Sequence, residues 1–266
     1  SNEALSMAVN NTHNENNKLI NDPKSSSAPA TKGRIYDDIT QTIGNTPLVR
    51  LSRLGNKYKV QGEILAKVEY FNPAGSIKDR PALAMINALM LSDSFDENTQ
   101  IIEATSGNNG VACAWICAMK GIPFTIVIPE HMSIERQKLI KHYGAKVVTT
   151  AKDLGTKGAI DKAKALVAET QGAVMLDQFG NQANPDMHFN STAQEIWRDT
   201  NGEVDVLIAG VGTGGTITGI AKALKIRNPN IKVIAVEPAS CPVLSEGCAG
   251  VHKIQGLSSG HVPDVL

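Results

Sequence analysis

The sequence predicts an α/β fold built on parallel sheets, and two observations support this prediction. Mainly apolar, strand-like runs, such as 123–128 and 204–209, alternate with helical patterns along the chain. Because a parallel sheet is covered on both faces, its strands are continuous apolar runs. Short, punctuated joins separate the runs, as in strand–helix–strand crossovers. Ligands of such folds bind at the carboxyl ends of the strands, so we expect the functional residues in strand-to-helix turns.

The predicted elements follow one another after an N-terminal tail. Residues 1–34 are rich in Asn, Ser and charge, and we expect them to be disordered. An alternating pattern predicts a strand at 63–70. Further strands are expected at 100–104, 123–128, 146–150, 174–176, 204–209 and 232–237. Helices are expected at 109–120, 134–143, 157–169, 191–200 and 216–227.

Composition argues against several classes of function. The chain of 266 residues balances 26 Lys and Arg against 26 Asp and Glu, which gives no electrostatic reason to expect nucleic acid or an anionic membrane as a partner. No apolar run approaches the roughly 20 residues of a membrane-spanning helix. The four cysteines and six histidines lack the spacing of a metal site, so none is predicted. We expect a cytoplasmic protein that acts on small molecules.

The stretch 72–80 presents a lysine where a loop becomes a helix. Ser76 and Asp79 have the spacing of a capping box, which predicts a helix start here. A helix N-terminus and burial both lower the pKa of Lys78, towards the free amine that carbonyl chemistry requires. Taken alone, Lys78 also fits a solvated side chain that Asp79 keeps protonated.

A second turn, at 105–110, follows the predicted strand at 100–104 and precedes a helix. Two hydroxyls, two amides and two glycines occupy it: Thr105, Ser106, Gly107, Asn108, Asn109 and Gly110. At a helix N-terminus this set can bind a small anion such as a carboxylate. The alternative is a plain helix cap, although capping preference explains only one such residue.

A third turn, at 210–216, is rich in glycine and lies between a strand and a helix. Its backbone N–H groups can converge on a phosphate. The same glycines also satisfy the dinucleotide pattern G-x-G-x-x-G, with Glu237 at the end of the next strand. Elsewhere, Gln178 follows another predicted strand, where its amide either donates to a substrate carboxylate or packs a loop.

The order of these motifs resembles one family. Segments 72–80, 105–110, 178–179, 212–216 and 252–256 occur as in pyridoxal-phosphate enzymes of the cysteine synthase (O-acetylserine sulfhydrylase) type. The resemblance runs from about residue 35 to residue 266. It implies fold type II, similar to the tryptophan synthase β subunit, with two domains that each have a mainly parallel sheet flanked by helices. The cofactor would occupy the cleft between them.

The resemblance also implies domain limits and residue roles. Segments 35–71 and 183–266 would form the larger, phosphate-binding domain, and 72–182 the smaller domain. Lys78 would hold pyridoxal 5'-phosphate covalently and act as acid and base at the substrate α-carbon, while Asn108 would bond the cofactor's 3-hydroxyl oxygen. The phosphate would be held by Gly212, Thr213, Gly214, Gly215 and Thr216. The substrate carboxylate would be bound by Thr105, Ser106, Gly107, Asn109 and Gln178.

The activity implied by the resemblance is a β-replacement. O-acetyl-L-serine and sulfide would give L-cysteine and acetate. Family members are commonly homodimers and can bind the C-terminal tail of serine acetyltransferase, so both partners are implied here.

The chain departs from the family pattern at several positions. Asn109 replaces a usual Thr, Gln182 a usual Pro, and Ala193-Gln194 a usual Gly-Pro, while 258–261 replaces the expected G-A-G-F. The chain also ends at Leu266, before the family segment that carries a serine partner of the pyridine nitrogen. We therefore expect either a partial chain or an incomplete cofactor site.

Three alternatives follow from these features. The pair Ala193-Gln194 is reminiscent of cystathionine β-synthases, which condense serine with homocysteine. The altered loop at 258–261 fits a non-catalytic, cofactor-binding paralogue. A nicotinamide oxidoreductase is supported only by the glycine fingerprint.

Overall fold

The computed structural model describes residues 35–105 and 107–266, and residues 38–266 form one compact unit. The predicted tail at 1–34 and Ser106 lie outside the described residues. Within the described part lie eight strands: β1 (Leu48–Arg50), β2 (Leu65–Lys67), β3 (Gln100–Ala104), β4 (Phe124–Pro129), β5 (Lys146–Thr150), β6 (Ala173–Val174), β7 (Val206–Gly210) and β8 (Lys232–Val236).

Nine α-helices alternate with these strands in the same part of the chain. They are α1 (Ser52–Lys57), α2 (Asp79–Met90), α3 (Asn108–Lys120), α4 (Ile134–His142), α5 (Gly155–Glu169), α6 (Ala183–Met187), α7 (Ala193–Asp199), α8 (Gly215–Arg227) and α9 (Val243–Glu246). Short 3₁₀ turns span Ile39–Thr42, Glu69–Phe71 and Lys152–Leu154, and a π-helical turn spans His188–Thr192.

Four parallel strands form the main sheet, in the order β5-β4-β3-β6. Ile101 and Ile126 face a core shared with α2, α3 and α4. Ile102 and Val127 point the other way, onto α5. Both faces of the sheet are therefore covered, which explains why its strands are mainly apolar and confirms the predicted α/β class.

Two smaller sheets complete the architecture. β1 and β2 pair antiparallel, from Leu48↔Lys67 to Arg50↔Leu65. β7 and β8 are parallel, and α8 packs against them through Ile217, Ile220 and Leu224. The division of the chain into domains at residues 72 and 182 stays a prediction.

Three predicted elements differ from the observed ones. The strand expected at 63–70 is confined to β2, because the chain then enters the 3₁₀ turn that directs the Glu69 carboxylate to Arg80, 2.8 Å away. The helix expected at 191–200 begins at residue 193 and is preceded by the π-helical turn. The strand expected at 174–176 overlaps the observed β6 only at Val174, because the chain leaves the sheet after that residue. The remaining predicted helices and strands differ from the observed ones only at their ends.

Residues 35–105 and 107–266 contain neither a membrane span nor a metal cluster. No helix there is both long and apolar enough to cross a bilayer. In the same residues, no group of three or more His, Cys, Asp or Glu side chains is arranged to hold a metal ion. The four cysteines are free thiols.

Candidate active site

Eight of the residues predicted to form the site line one cleft. They are Lys78, Thr105, Gly107, Asn108, Asn109, Gln178, Gly212 and Thr213. The cleft has a volume of about 480 Å³, within the range of roughly 300–1,000 Å³ that is common for small-molecule sites. Its walls are the turns that follow β3, β6 and β7, so it lies at the carboxyl ends of parallel strands, as expected.

The other predicted residues lie elsewhere. Gly214, Gly215 and Thr216 form the start of α8 and are not part of the cleft lining. Ser106 lies outside the described residues. Gly214 caps α8 in a left-handed conformation, with φ of 84°, which favours glycine at this position.

The turn that leads into α2 places Lys78 at the helix N-cap. The predicted capping box is wrong. Ser76 Oγ accepts from the backbone N–H of Lys78 at 3.2 Å, and no side chain caps the helix. The Asp79 carboxylate instead accepts from the N–H of Ala74 at 2.7 Å and from Trp115 Nε1 at 3.0 Å. Asp79 therefore connects the turn before α2 to Trp115 on α3.

Lys78 is partly buried, and among the described residues no carboxylate forms an ion pair with it. Burial without a counter-charge lowers the pKa of its amine to about 8. The alternative of a solvated lysine kept protonated by Asp79 is thus disfavoured. A large fraction of the amine is unprotonated at mildly alkaline pH, as attack on an aldehyde requires.

The start of α3 contributes an amide without a partner. Asn109 is 2% exposed, and neither polar atom of its side chain has a hydrogen-bond partner in the described structure. Buried polar groups are almost always hydrogen-bonded, so an unsatisfied amide on a cleft wall indicates a place for a polar ligand. Because it lies at a helix N-terminus, this amide fits a carboxylate better than a plain cap.

The glycine turn after β7 meets another loop at very short range. A Cβ at Gly212 would lie 2.3 Å from the carbonyl oxygen of Gly256, so only glycine fits there. The side chain of Thr213 accepts from Asn184 Nδ2 at 3.0 Å and is buried. The turn is therefore rigid and leaves its backbone free to approach a ligand closely, which fits a phosphate.

The charges around the cleft have one sign. Its described lining includes Lys78 and Arg136 and contains no Asp or Glu. Such a cleft favours anions, since a positive potential between low-dielectric walls raises their local concentration. A phosphate-bearing aldehyde and an amino-acid carboxylate both suit it.

Sequence reasoning missed three residues that support the cleft. Asn184 Nδ2 donates to the carbonyl oxygen of Gln178 at 2.9 Å as well as to Thr213, and so joins two walls. Arg136 donates to Gln255 Oε1 at 2.8 Å across the mouth. No local signal marks Asn184, but Arg136 lies in a stretch that resembles the family, Met132 to Arg136.

Glu103 is the third missed residue. It lies on β3, is 3% exposed, and accepts from the backbone N–H groups of Leu176 and Asp177. Burial raises its pKa to about 7, against the lowering effect of the two N–H groups. One signal was available, because a glutamate interrupts a run that is otherwise apolar, Ile101-Ile102-Glu103-Ala104.

A buried ion cluster lies two residues beyond Lys78. Arg80 is 3% exposed, and its guanidinium contacts Glu69 at 2.8 Å and Glu195 at 2.7 Å. Lys67 Nζ also contacts Glu195, at 2.7 Å. Burial alone would raise the pKa of Glu195, but the bonds from Arg80 and Lys67 prevail and lower it to about 2.

The fold and the cleft together define an α/β enzyme that binds a phosphate-bearing aldehyde cofactor. Residues 39–266 match the family described as pyridoxal-phosphate dependent enzymes, and the chain belongs to this family. Its cofactor is pyridoxal phosphate, so the nicotinamide alternative for the glycine turn is not supported.

Named relatives narrow the class. A cysteine synthase of a Flavobacterium species is 49% identical over 231 residues, which cover 87% of this chain and 74% of that protein. Cysteine synthase A of Escherichia coli (strain K12) is 45% identical over 239 residues, covering 86% of this chain and 72% of that protein. The crystal structure of O-acetyl serine sulfhydrylase isoform 3 from Entamoeba histolytica has a TM-score of 0.85 and 41% identity, covering 89% of this chain and 71% of that one.

Proposed function

We propose that this chain is a cysteine synthase, a transferase that makes L-cysteine and acetate from O-acetyl-L-serine and sulfide. One observation carries the proposal: the amine of Lys78, the unsatisfied amide of Asn109 and the tight turn at Gly212 line one cleft without a carboxylate. The names of relatives at 45% and 49% identity support the same activity.

The proposed cofactor contacts divide between two ends of the cleft. Lys78 would hold the cofactor aldehyde through its amine, and the Asn108 side chain would bond the ring hydroxyl. The backbone N–H groups of 212–216 would hold the phosphate, helped by the N-terminus of α8. When bound, pyridoxal phosphate supplies an electron sink for the substrate α-carbon.

The chain's own residues then position the amino-acid substrate. Its carboxylate would be bound by Thr105, Ser106, Gly107, Asn109 and Gln178. This grip aims the α-carbon proton at Lys78 Nζ, which removes it and later returns a proton to the same carbon. The lowered pKa of Lys78 suits both steps, because proton transfer is efficient when the pKa lies near the working pH.

The alternative of a cystathionine β-synthase-like enzyme is not favoured. The sequence feature that suggests this activity is the pair Ala193-Gln194, but neither residue lines the cleft. Ala193 is fully buried in the core around α8, and Gln194 accepts from Arg227 on that helix. This departure therefore concerns packing between α7 and α8.

The activity is tested by supplying the purified chain with pyridoxal phosphate, O-acetylserine and sulfide and measuring cysteine formation. Serine with homocysteine serves as the competing substrate pair. Cysteine formation that requires O-acetylserine supports the proposal. Protein that binds the cofactor but shows neither turnover nor a change of cofactor absorbance with O-acetylserine would favour the non-catalytic paralogue.

Assembly and location are proposed on the family resemblance. The chain forms a homodimer, works in the cytoplasm and accepts the C-terminal tail of serine acetyltransferase in its cleft. Its four free cysteines agree with a reducing compartment. Light scattering of the purified protein tests the homodimer. Competition between a peptide of the serine acetyltransferase tail and O-acetylserine tests binding of that tail.

A further inference from the structure

We infer that Glu103 is a positioning residue for the substrate-binding amide of Gln178. This inference rests on the proposed function, because it takes Gln178 as a contact of the substrate carboxylate. Glu103 does not line the cleft, so it acts through the turn at 176–178.

The argument begins with the end of a strand ladder. β3 pairs with β6 only at Gln100↔Ala173 and Ile101↔Val174. Beyond this point the segment 175–178 has no strand pairing with β3. Its N–H groups need other acceptors, since buried backbone groups are rarely left unpaired.

The carboxylate of Glu103 provides that acceptor. One oxygen, Oε1, accepts from the N–H of Leu176 and from the N–H of Asp177, the latter at 3.2 Å. Glu103 is 73 and 74 residues away from these two partners in sequence, so the bonds connect the turn at 176–178 to a distant segment, strand β3 of the main sheet. No basic side chain forms an ion pair with Glu103 in the described ranges.

The backbone changes direction at Asp177, the residue directly before Gln178. Asp177 has φ of 52°, a left-handed conformation that is uncommon for a residue other than glycine. Its N–H is held by Glu103, and the next residue, Gln178, is 9% exposed and faces the cleft. The carbonyl oxygen of Gln178 is held by Asn184 at 2.9 Å. The direction of the Gln178 side chain thus depends on bonds on both sides, and Glu103 provides the first.

Two substitutions distinguish hydrogen-bond acceptance by Glu103 from effects of its negative charge and of its side-chain volume. Both bonds use one oxygen, so Glu103→Gln can keep them through its amide oxygen and serves as the matched control. Glu103→Met fills a similar volume but offers no comparable acceptor, which leaves two N–H groups unpaired.

The kinetic test compares these variants of the cofactor-loaded protein. Glu103→Met should raise the KM for O-acetylserine about tenfold or more, the consequence of losing bonds to buried N–H groups, with kcat changed much less, because ground and transition states use the carboxylate contact alike. Glu103→Gln should stay within about threefold of the wild-type KM. In a Gln178→Ala background, Glu103→Met should have little further effect, because its route to the substrate has been removed. Equal KM values for all variants, or fully additive effects, would overturn the inference.

Hydrogen exchange gives a readout independent of activity. The amides of Leu176 and Asp177 should be protected in the wild type and in Glu103→Gln, and should exchange at least about tenfold faster in Glu103→Met. If Glu103→Met does not fold, rapid exchange of these two amides in the wild type would still contradict the tie. An inactive wild type with the predicted exchange pattern would refute the cysteine synthase proposal and leave the tie between Glu103 and the turn intact.

Discussion

Two cations at the start of one helix have opposite environments. Lys78 and Arg80 are separated by one residue, at the N-cap and in the first turn of α2. Arg80 is held by Glu69 and Glu195 at 2.8 and 2.7 Å. Lys78 has no carboxylate partner in the part of the chain that the structure describes.

The comparison shows that burial has different consequences with and without a partner. Carboxylates keep Arg80 charged and raise its pKa although burial opposes this. The same kind of burial without a carboxylate lowers the pKa of Lys78 to about 8. One side chain therefore stabilises the fold, while the other is kept available for chemistry.

Replacing Lys78 should have the largest effect. Lys78→Ala removes both the covalent anchor and the proton carrier, so the rate of cysteine formation should fall on the order of 1,000-fold. Borohydride should no longer fix the cofactor to the protein. Rate assays and mass spectrometry of the reduced protein measure the two outcomes.

The control for Lys78→Ala is a solvent-exposed lysine that does not line the cleft. The Lys157 side chain is 86% exposed, and Lys157→Ala should leave activity unchanged. The thermal midpoint of Lys78→Ala should stay close to that of the wild type, because the change removes no core contact. A Lys78→Ala variant with appreciable turnover would refute the assigned role.

Replacing Arg80 should affect stability instead. Arg80→Ala leaves the carboxylates of Glu69 and Glu195 with less compensation in a buried place, which costs about 3–5 kcal/mol. Urea unfolding measures the loss. In the matched control, Arg50→Ala breaks an ion pair to Glu63 whose side chains are 60% and 59% exposed, and the unfolding midpoint should barely move. Equal losses for the two variants would show that burial of the Arg80 cluster does not matter.

The smallest expected effect is a lower midpoint in the pH profile of cofactor uptake than a solvated lysine would give. Only the unprotonated amine attacks an aldehyde, so uptake of pyridoxal phosphate by cofactor-free protein should quicken as the pH rises and level off above the pKa of Lys78. Burial lowers that pKa to about 8, so the midpoint should lie there. Absorbance traces from about pH 6.5 to about pH 9.5 would follow the rate on both sides of that midpoint. A rate still rising at the upper limit would indicate a solvated lysine, with a pKa near about 10.4.

The sequence was sufficient to predict the main sheet and the meeting of the turns. Apolar strands separated by helices require a covered parallel sheet, and the carboxyl ends of such strands lie at one edge. This argument applies to residues 105–109 and Gln178, which follow strands of that sheet. Gly212 follows β7 in the smaller parallel sheet, 107 positions after Thr105, and only the family resemblance implied that it shares their site.

Contacts that depend on exact register were beyond sequence reasoning. Ser76 and Asp79 have the spacing of a capping box, but Asp79 bonds Trp115, which is 36 residues away in sequence. The ties from Glu103 to Leu176 and from Asn184 to Thr213 likewise depend on how distant segments align. Local spacing predicts local bonds, and tertiary packing overrides it where a distant partner satisfies the same group better.

Asn184 links the ends of the cleft into one mechanical unit. Its amide nitrogen donates to the Gln178 carbonyl at 2.9 Å and to the Thr213 hydroxyl at 3.0 Å, and it is 1% exposed. Water cannot readily replace either bond, so the wall that carries Gln178 and the loop that carries Thr213 keep a common spacing. A substitution that enlarges one end of the cleft for a bulkier molecule should therefore also change the contacts at the other end.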